Sequence, residues 1–235
     1  MQALKVAALA VALLGAMTAT GAAQDGSEVD LALVLSADSS GSIDEAEFAL
    51  QRDGIASAIT DPEVMAAIRG GRHGKIAVTL VEWGSPGTPV QVVGWHIIGN
   101  DERSQNFAMD VRNAPRAPQS YNAIGDGMAL AIELIAACPC QPTRKVIDVS
   151  GDNPDMRSKI PSPLARDMAV KAGITVNALA ILQDDRLGPN GRPWLVEVYD
   201  REVIGGFAAF VIPAQTRADF ARALRQKLIQ EIASR

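Results

Sequence analysis

The amino-acid sequence predicts a doubly wound α/β fold: a mostly parallel six-stranded sheet with one antiparallel edge strand and helices on both faces. Two observations predict it. Short apolar runs, typical of strands covered on both faces, alternate with segments whose apolar residues recur at helical spacing. Two of the strand-like runs are separated only by the loop 83–87, which contains glycine and proline. Such a loop favours a hairpin, and a hairpin makes one strand antiparallel.

The predicted strands are mainly apolar runs bounded by polar residues, glycine or proline. In chain order they are residues 31–37, 75–82, 90–98, 145–149, 174–182 and 207–212. In an open α/β sheet, ligands bind just beyond the carboxyl ends of the strands. The residues that follow these strands are therefore the first candidates for a functional site.

The predicted helices have recognisable starts and ends. Asp44 with Glu47 has the spacing of a capping box at the start of the first helix, and Pro62 breaks or restarts that helix. Thr216 with Asp219 marks the start of the last helix, whose apolar stripe is Phe220, Leu224, Leu228 and Ile232. The remaining helices are predicted at 101–112, 122–137, 164–171 (closed by Gly173) and 194–203.

Composition excludes several classes of protein. Of 235 residues, 48% are hydrophobic and 21% are charged, which is the composition of a globular chain rather than a disordered or collagen-like one. The formal net charge of −5 offers no basic face for phosphate groups, so we expect no nucleic-acid partner. The length suits one domain of about 200 residues.

The N-terminal segment has the pattern of a secretory signal peptide. Lys5 supplies a positive charge, residues 6–19 carry none, and small residues lead to an expected cleavage site after Ala23. The apolar run is shorter than the roughly 20 residues that span a bilayer. We therefore predict a signal peptide over 1–23 and one domain over 24–235, exported to the periplasm or secreted, with no membrane span after signal removal.

Two further features concern buried or reactive side chains. Cys138 and Cys140 could form a local disulfide or remain free or intermolecular thiols, and their spacing leaves both alternatives open. Asp148 lies within an apolar strand, where a carboxylate needs a partner. We expect that partner to be Arg52 or Arg144.

Oxygen-bearing side chains follow two of the strands and precede one helix. Asp38, Ser40 and Ser42 form a D-x-S-x-S pattern after the first strand, and Asp152 follows the fourth. Asn122 lies where the longer central helix begins. Carboxylate, hydroxyl and amide oxygens are the ligands that hard cations such as Mg²⁺ prefer. If the strand assignments hold, Asp38 and Asp152 leave the same edge of the sheet.

These residues resemble the von Willebrand factor A (vWA) domain, whose metal-ion-dependent adhesion site (MIDAS) begins with D-x-S-x-S. The closer resemblance is to an uncharacterised family of exported bacterial proteins with this fold, domain of unknown function 1194. It covers nearly all of the chain after the signal peptide. The matching stretches are DSSGSID (38–44), LQRDG (50–54), AVTLVEW (77–83), RKVIDVSGDN (144–153), ARDMAVKAGITVN (165–177) and VIGGFAAFV (203–211).

The resemblance implies a metal site formed by Asp38, Ser40, Ser42, Asn122 and Asp152. Related domains have a threonine where this chain has Asn122, whose carbonyl could coordinate a hard cation instead; Ser120 lies near enough in sequence to substitute. The implied cofactor is Mg²⁺, with Mn²⁺ or Ca²⁺ as alternatives. The implied partner is a protein that offers an acidic side chain to complete the metal shell.

Three functions remain open. The leading hypothesis is a non-catalytic, cation-dependent binding module. A metal-independent structural or assembly protein with a degenerate MIDAS is the second, favoured by Asn122. A metal-assisted hydrolase is the third; against it, the sequence has no G-x-S-x-G, P-loop or H-E-x-x-H motif.

Overall fold

The computed structural model of the protein describes residues 26–117 and 119–233. The predicted signal peptide, residues 1–23, lies outside these ranges and stays a prediction. Within them, no helix is both long enough and apolar enough to cross a membrane.

One six-stranded sheet forms the centre of the molecule, in the order β3-β2-β1-β4-β5-β6. All neighbouring pairs are parallel except β2–β3, which are antiparallel, as the hairpin predicted. The strands are β1 (Ser27–Asp38), β2 (Ile76–Trp83), β3 (Val90–Ile98), β4 (Cys140–Gly151), β5 (Thr175–Ile181) and β6 (Val211–Ala214). β1 lies between β2 and β4, so the order of the chain reverses there, which is where such folds bind ligands.

Helices cover both faces of the sheet, and each face has its own apolar core. The helices are α1 (Glu45–Ile59), α2 (Pro62–Arg69), α3 (Asp101–Asn113), α4 (Ile124–Ala136), α5 (Ser162–Lys171), α6 (Trp194–Glu202) and α7 (Phe220–Ala233), with a 3₁₀ turn (Arg217–Asp219) before α7. One core packs α1, α2, α3 and α7 against the sheet, and the other packs α4, α5 and α6. The predicted doubly wound fold is confirmed.

The local signals at the helix ends behave as predicted. Asp44 and Glu47 form the reciprocal capping box of α1, with Asp44 accepting from the Glu47 amide at 2.8 Å. Pro62 restarts the chain as the separate helix α2. Gly173 has a φ of 71°, the left-handed conformation that suits the residue after a helix. The predicted stripe of α7 is buried along its whole length: Phe220, Leu224, Leu228 and Ile232.

Several element boundaries differ from the prediction, and three of the differences have a clear cause or consequence. The last strand begins at Val211 rather than at 207, because Gly206 and Ala208 have φ values of 97° and 53°, which interrupt the extended chain. Helix α4 begins at Ile124, so Asn122 precedes it. β4 begins at Cys140, five residues earlier than predicted, because its polar first half pairs with the start of β1.

Cys138 and Cys140 form a local disulfide. Of the two alternatives that the spacing left open, the structure has the intramolecular bridge. The bridge lies immediately before β4 and includes its first residue.

The expected partner of Asp148 was wrong. Its carboxylate lies 2.8 Å from the ammonium of Lys227 on α7, and Lys227 also pairs with Glu231 one turn later. All three side chains are fully shielded from solvent. Asn177 donates to Glu231 at 2.7 Å, so two carboxylates share one buried cation and one amide.

The two arginines named as candidates have other roles. Arg52 pairs with Glu82 at 2.6 Å, and both are buried. Arg144 donates to the main-chain carbonyls of Glu231 and Ile232, the last turn of α7. Sequence spacing could not distinguish these roles, because all the partners come from elements distant along the chain.

Glu231 makes the stability of the protein depend on pH. Burial, and then the charge of Asp148, raise the pKa of the Glu231 carboxyl to about 7, although Lys227 and Asn177 oppose the shift. The folded chain therefore holds a proton that the unfolded chain releases from about pH 4.5 upward. Because the folded chain keeps this proton at pH values where the unfolded chain has released it, we expect the free energy of unfolding to decrease by roughly 3 kcal/mol between pH 4.5 and a pH above 7.

Urea unfolding of wild type and Glu231→Gln between pH 5 and 8 tests this prediction. The variant should gain stability relative to wild type as pH rises, because it has no proton to lose. Glu133→Gln, an exposed position on α4, is the matched control and should leave the profile unchanged. A constant difference between Glu231→Gln and wild type across this range would contradict the prediction.

Candidate functional site

The candidate site lies at the carboxyl edge of the two central strands. Ala37 pairs with Ser150 in the β1–β4 register, so Asp38 and Asp152 leave the sheet side by side. Both side chains are buried. The sheet topology thus brings these two carboxylates to the same edge, as the strand assignments predicted.

Asp38 is held firmly and yet keeps one oxygen free. Its Oδ1 accepts from the amide of Ser40 at 2.7 Å, and its main-chain carbonyl accepts from the Gln51 side chain at 3.0 Å. Its Oδ2 is buried without a hydrogen-bond donor among the described residues. A buried carboxylate oxygen with no donor is costly unless a proton or a cation reaches it.

The two serines of the D-x-S-x-S loop place their hydroxyls together. Ser40 Oγ and Ser42 Oγ are 3.2 Å apart; Ser40 is buried and Ser42 is exposed. Arg116 fixes this loop by donating to the main-chain carbonyls of Ser40 and Ile43, at 3.3 and 2.7 Å. The loop thus places one hydroxyl oxygen in the interior and a second one, next to it, at the protein surface.

Asn122 lies on the neighbouring loop before α4. It is 8% exposed, and its Oδ1 is a second buried oxygen without a donor among the described residues. Its main-chain carbonyl accepts from the Met156 amide at 2.7 Å, which ties this loop to the one that carries Asp152. Ser120 is exposed, and its amide donates to Ser85 at 3.0 Å.

Two further acidic residues shape these loops rather than adding oxygens to the site. Asp126, on α4, accepts from the amides of Lys159 and Ile160 at 3.1 and 3.0 Å. Asp155 accepts from the amide of Ser162 at 3.0 Å and so joins the loop to the start of α5. With both loops held by main-chain bonds, the position of Asn122 is set by the fold.

Asp152 differs from Asp38 because donors surround it. Asn153 donates to its Oδ1 at 2.8 Å, and Gln183 donates to its Oδ2 at 2.7 Å. The guanidinium of Arg217 also pairs with Oδ2. The Nε of Arg217 lies 2.8 Å from Glu47 on α1, so Arg217 bridges two carboxylates.

Sequence reasoning missed Arg217, Gln183 and Glu47 as neighbours of the site. Gln183 follows β5 and Arg217 follows β6, so both lie at the same carboxyl edge as Asp38 and Asp152. The rule that located the two aspartates, applied to the last two strands, would have found them. Nothing in the sequence indicates that Arg217 pairs with Asp152.

The electrostatics of the site favour a positive charge between the aspartates. Burial, and then the charge of Asp152, raise the pKa of the Asp38 carboxyl to about 8. Near neutral pH the two carboxylates therefore share a proton or need a neutralising cation. The Tyr199 hydroxyl donates to the main-chain carbonyl of Asn153 at 2.8 Å, and burial, followed by the charges of Asp38 and Asp152, raises its pKa.

The oxygen atoms available at the site suit a hard divalent cation. Asp38 Oδ2 and Asn122 Oδ1 are buried oxygens without a hydrogen-bond donor among the described residues. The Ser40 and Ser42 hydroxyls lie on the loop that follows Asp38, and Asp152 follows the neighbouring strand β4. Among the described residues, no three His, Cys, Asp or Glu side chains cluster as a metal site would require. Hydroxyl and amide oxygens would therefore have to complete the coordination, as Mg²⁺ and Ca²⁺ accept.

Comparison with known families decides where this chain belongs. The family described as protein of unknown function (DUF1194) matches residues 28–235, almost the whole chain. The chain belongs to the DUF1194 family. None of the curated protein sequences is significantly similar to it.

Solved structures show that this DUF1194 chain has the vWA fold. The pilus adhesin SpaC from Lactobacillus rhamnosus GG has a TM-score of 0.61 at 16% identity, over 87% of this chain and 30% of SpaC. Proximal thread matrix protein 1 from the mussel byssus, with a zinc-occupied MIDAS motif, has 0.62 at 13%, over 88% and 48%. The vWF domain of the type V pili tip protein Mfa5 from Porphyromonas gingivalis has 0.59 at 10%, over 87% and 95%. The chain spans less than half of the first two proteins.

Proposed function

We propose that this chain is an exported protein-binding module that engages its partner through a divalent cation. Asp38, Ser40, Ser42, Asn122 and Asp152 would hold the cation, which is Mg²⁺ or, alternatively, Mn²⁺ or Ca²⁺. Bound there, the cation would supply an open coordination position for a carboxylate oxygen of the partner. The chain's own contribution is to hold these oxygens in place and to shield the inner ones from water.

One observation carries this proposal: the buried Oδ2 of Asp38, which has no donor among the described residues and faces a second carboxylate. The structural carboxylate of Asp126 has its oxygens satisfied by surrounding amides. Asp148 and Glu231 also have buried oxygens without a donor, but both carboxylates pair with the ammonium of Lys227. Among the described residues, no cationic side chain forms such an ion pair with Asp38, so a bound cation would satisfy its free oxygen. Ser42 is exposed, so its hydroxyl brings the proposed metal ligands to the protein surface, where a partner could reach the cation.

The comparisons support the binding role as an analogy of fold. The similar structures include a pilus adhesin, a pilus tip domain and a byssus matrix protein whose MIDAS motif is occupied by zinc. Export is supported by the predicted signal peptide and by the Cys138–Cys140 disulfide, since disulfides persist in oxidising compartments.

Cation binding should stabilise the protein. A ligand that binds only the folded chain adds about 2.7 kcal/mol at a hundredfold excess over its Kd, which corresponds to roughly 5–10 °C in Tm for a domain of this size. We expect millimolar Mg²⁺ or Mn²⁺ to raise the Tm of the domain lacking residues 1–23. The measurement is thermal unfolding after dialysis against chelator, with and without added cation. We choose pH 8 because a cation displaces the Asp38 proton more readily at that pH.

Asp38→Ala should abolish this rise in Tm, and it should melt no lower than metal-free wild type because it removes the repulsion with Asp152. Asp53→Ala, on the exposed side of α1, is the matched control and should respond to the cation as wild type does. If wild type ignores the cation and Asp38→Ala is strongly destabilised without it, Asp38 is a structural hydrogen-bond acceptor. The proposed site would then be wrong.

A metal-independent assembly protein is the second candidate function. The ion pair between Arg217 and Asp152 favours it, because the guanidinium already neutralises one of the two carboxylates. A pull-down from the native envelope fraction separates the candidates. A partner bound through the cation is lost with chelator and with Asp38→Ala, whereas an assembly contact elsewhere on the surface survives both.

A further inference from the structure

The guanidinium of Arg217 already supplies a positive charge to one carboxylate of the candidate site. It pairs with Oδ2 of Asp152, a carboxylate with a fully buried side chain, and is itself only 17% exposed. Gln183 donates to the same oxygen. With both donors in place, Oδ2 has no lone pair left for a metal ion.

From this geometry we propose that Arg217 is a built-in competitor that sets the cation affinity of the site. This inference rests on the proposed cation site and adds that the chain has a closed form, in which Arg217 holds Asp152. A cation binds the open form, in which Arg217 has left Asp152. The measured affinity is then the intrinsic affinity multiplied by the fraction of open molecules.

The surroundings of Arg217 give it somewhere to go. Its Nε is already 2.8 Å from Glu47, so it can release Asp152 and keep one ionic partner. An open cleft of about 750 Å³ lies directly beside it. Asp184 and Asp185, which line that cleft with Ser42 and Glu47, offer further carboxylates to a displaced guanidinium. Release therefore exchanges one ion pair for another.

The asymmetry between the two aspartates agrees with this role. Asp38 keeps a buried oxygen without a donor, whereas every oxygen of Asp152 accepts from a side chain. If Arg217 served only to neutralise both carboxylates, a position between them would be expected. Of the two aspartates, Arg217 contacts only Asp152, which leaves Asp38 ready for a cation and blocks Oδ2 of Asp152.

The test is a calorimetric titration of Mn²⁺ into wild type, Arg217→Gln and Arg217→Lys, each first freed of metal by chelator. Arg217→Gln should bind Mn²⁺ at least about tenfold more tightly, because the closed form loses its ion pair. Arg217→Lys should gain less than the glutamine variant, because its single ammonium keeps the charge but cannot pair with two carboxylates as the guanidinium fork does. Arg222→Gln, an exposed arginine that pairs with Asp219, is the matched control and should match wild type.

A second measurement separates competition from a purely structural role. Metal-free Arg217→Gln should melt below metal-free wild type, because Asp152 loses its counter-charge, and yet bind Mn²⁺ more tightly. A lower Tm with unchanged or weaker binding would overturn the competitor proposal and leave the cation site standing. Absence of Mn²⁺ binding in every variant would overturn both proposals, and that pattern is distinct from the first.

Discussion

Replacing Lys227 by Met is expected to destabilise the protein by about 3–5 kcal/mol at pH 8, because it leaves two buried carboxylates without their cation. Lys227 is fully buried and lies 2.8 Å from Asp148, and it also pairs with Glu231. Methionine fills a similar volume, so the loss reports charge rather than a cavity. Urea unfolding monitored by circular dichroism measures it.

The effect should shrink below pH 6, where the orphaned carboxylates take up protons. The combined variant Lys227→Met, Asp148→Asn, Glu231→Gln should recover most of the stability, because removing a whole buried ionic group is often close to neutral. Arg222→Met, at an exposed position of the same helix, should stay within about 0.5 kcal/mol of wild type. A loss of similar size for Lys227→Met and its combined variant would show that packing, not charge, is responsible.

Arg52→Met is expected to cost about 3–5 kcal/mol as well, because it strands the buried carboxylate of Glu82. Arg52 donates to Glu82 at 2.6 Å and to the Val111 carbonyl at 2.7 Å. Burial lowers the pKa of the Arg52 guanidinium and raises the pKa of the Glu82 carboxyl. The charge of Glu82 partly restores the pKa of Arg52, and the charge of Arg52 partly restores the pKa of Glu82. Denaturant unfolding at pH 7.5 measures the loss.

Arg52→Met should also loosen the loop next to the candidate site. Glu82 accepts from the Ala117 amide at 2.9 Å, and Ser39 donates to the carbonyl of that residue at 3.4 Å. Arg52→Met with Glu82→Gln should recover part of the stability, since glutamine keeps an acceptor for the amide. Arg112→Met removes an exposed ion pair with Asp53 and is the control. Equal stability of Arg52→Met and this control would contradict the assigned role.

The fold could be predicted from the sequence because its signals are local. Apolar runs, the capping box at Asp44 and Glu47, the restart at Pro62 and the stripe on α7 each depend on residues a few positions apart. The errors arose where backbone conformation or pairing overrode the pattern. Residues 207–210 have the composition of a strand, but the left-handed conformations of Gly206 and Ala208 interrupt the extended chain, so the regular strand begins only at Val211.

The candidate site could be predicted in part, for a physical reason. The carboxyl ends of parallel strands meet at one edge, so the sequence alone determined that Asp38 and Asp152 would lie together there. That they, with Ser40, Ser42 and Asn122, bind a cation stays a prediction. The tertiary structure decided which charges are paired: Lys227 with Asp148, Arg52 with Glu82, and Arg217 with Asp152. Such pairs join elements that are far apart along the chain. Tertiary packing on the sheet determines which charged side chains meet, and the local sequence does not specify that packing.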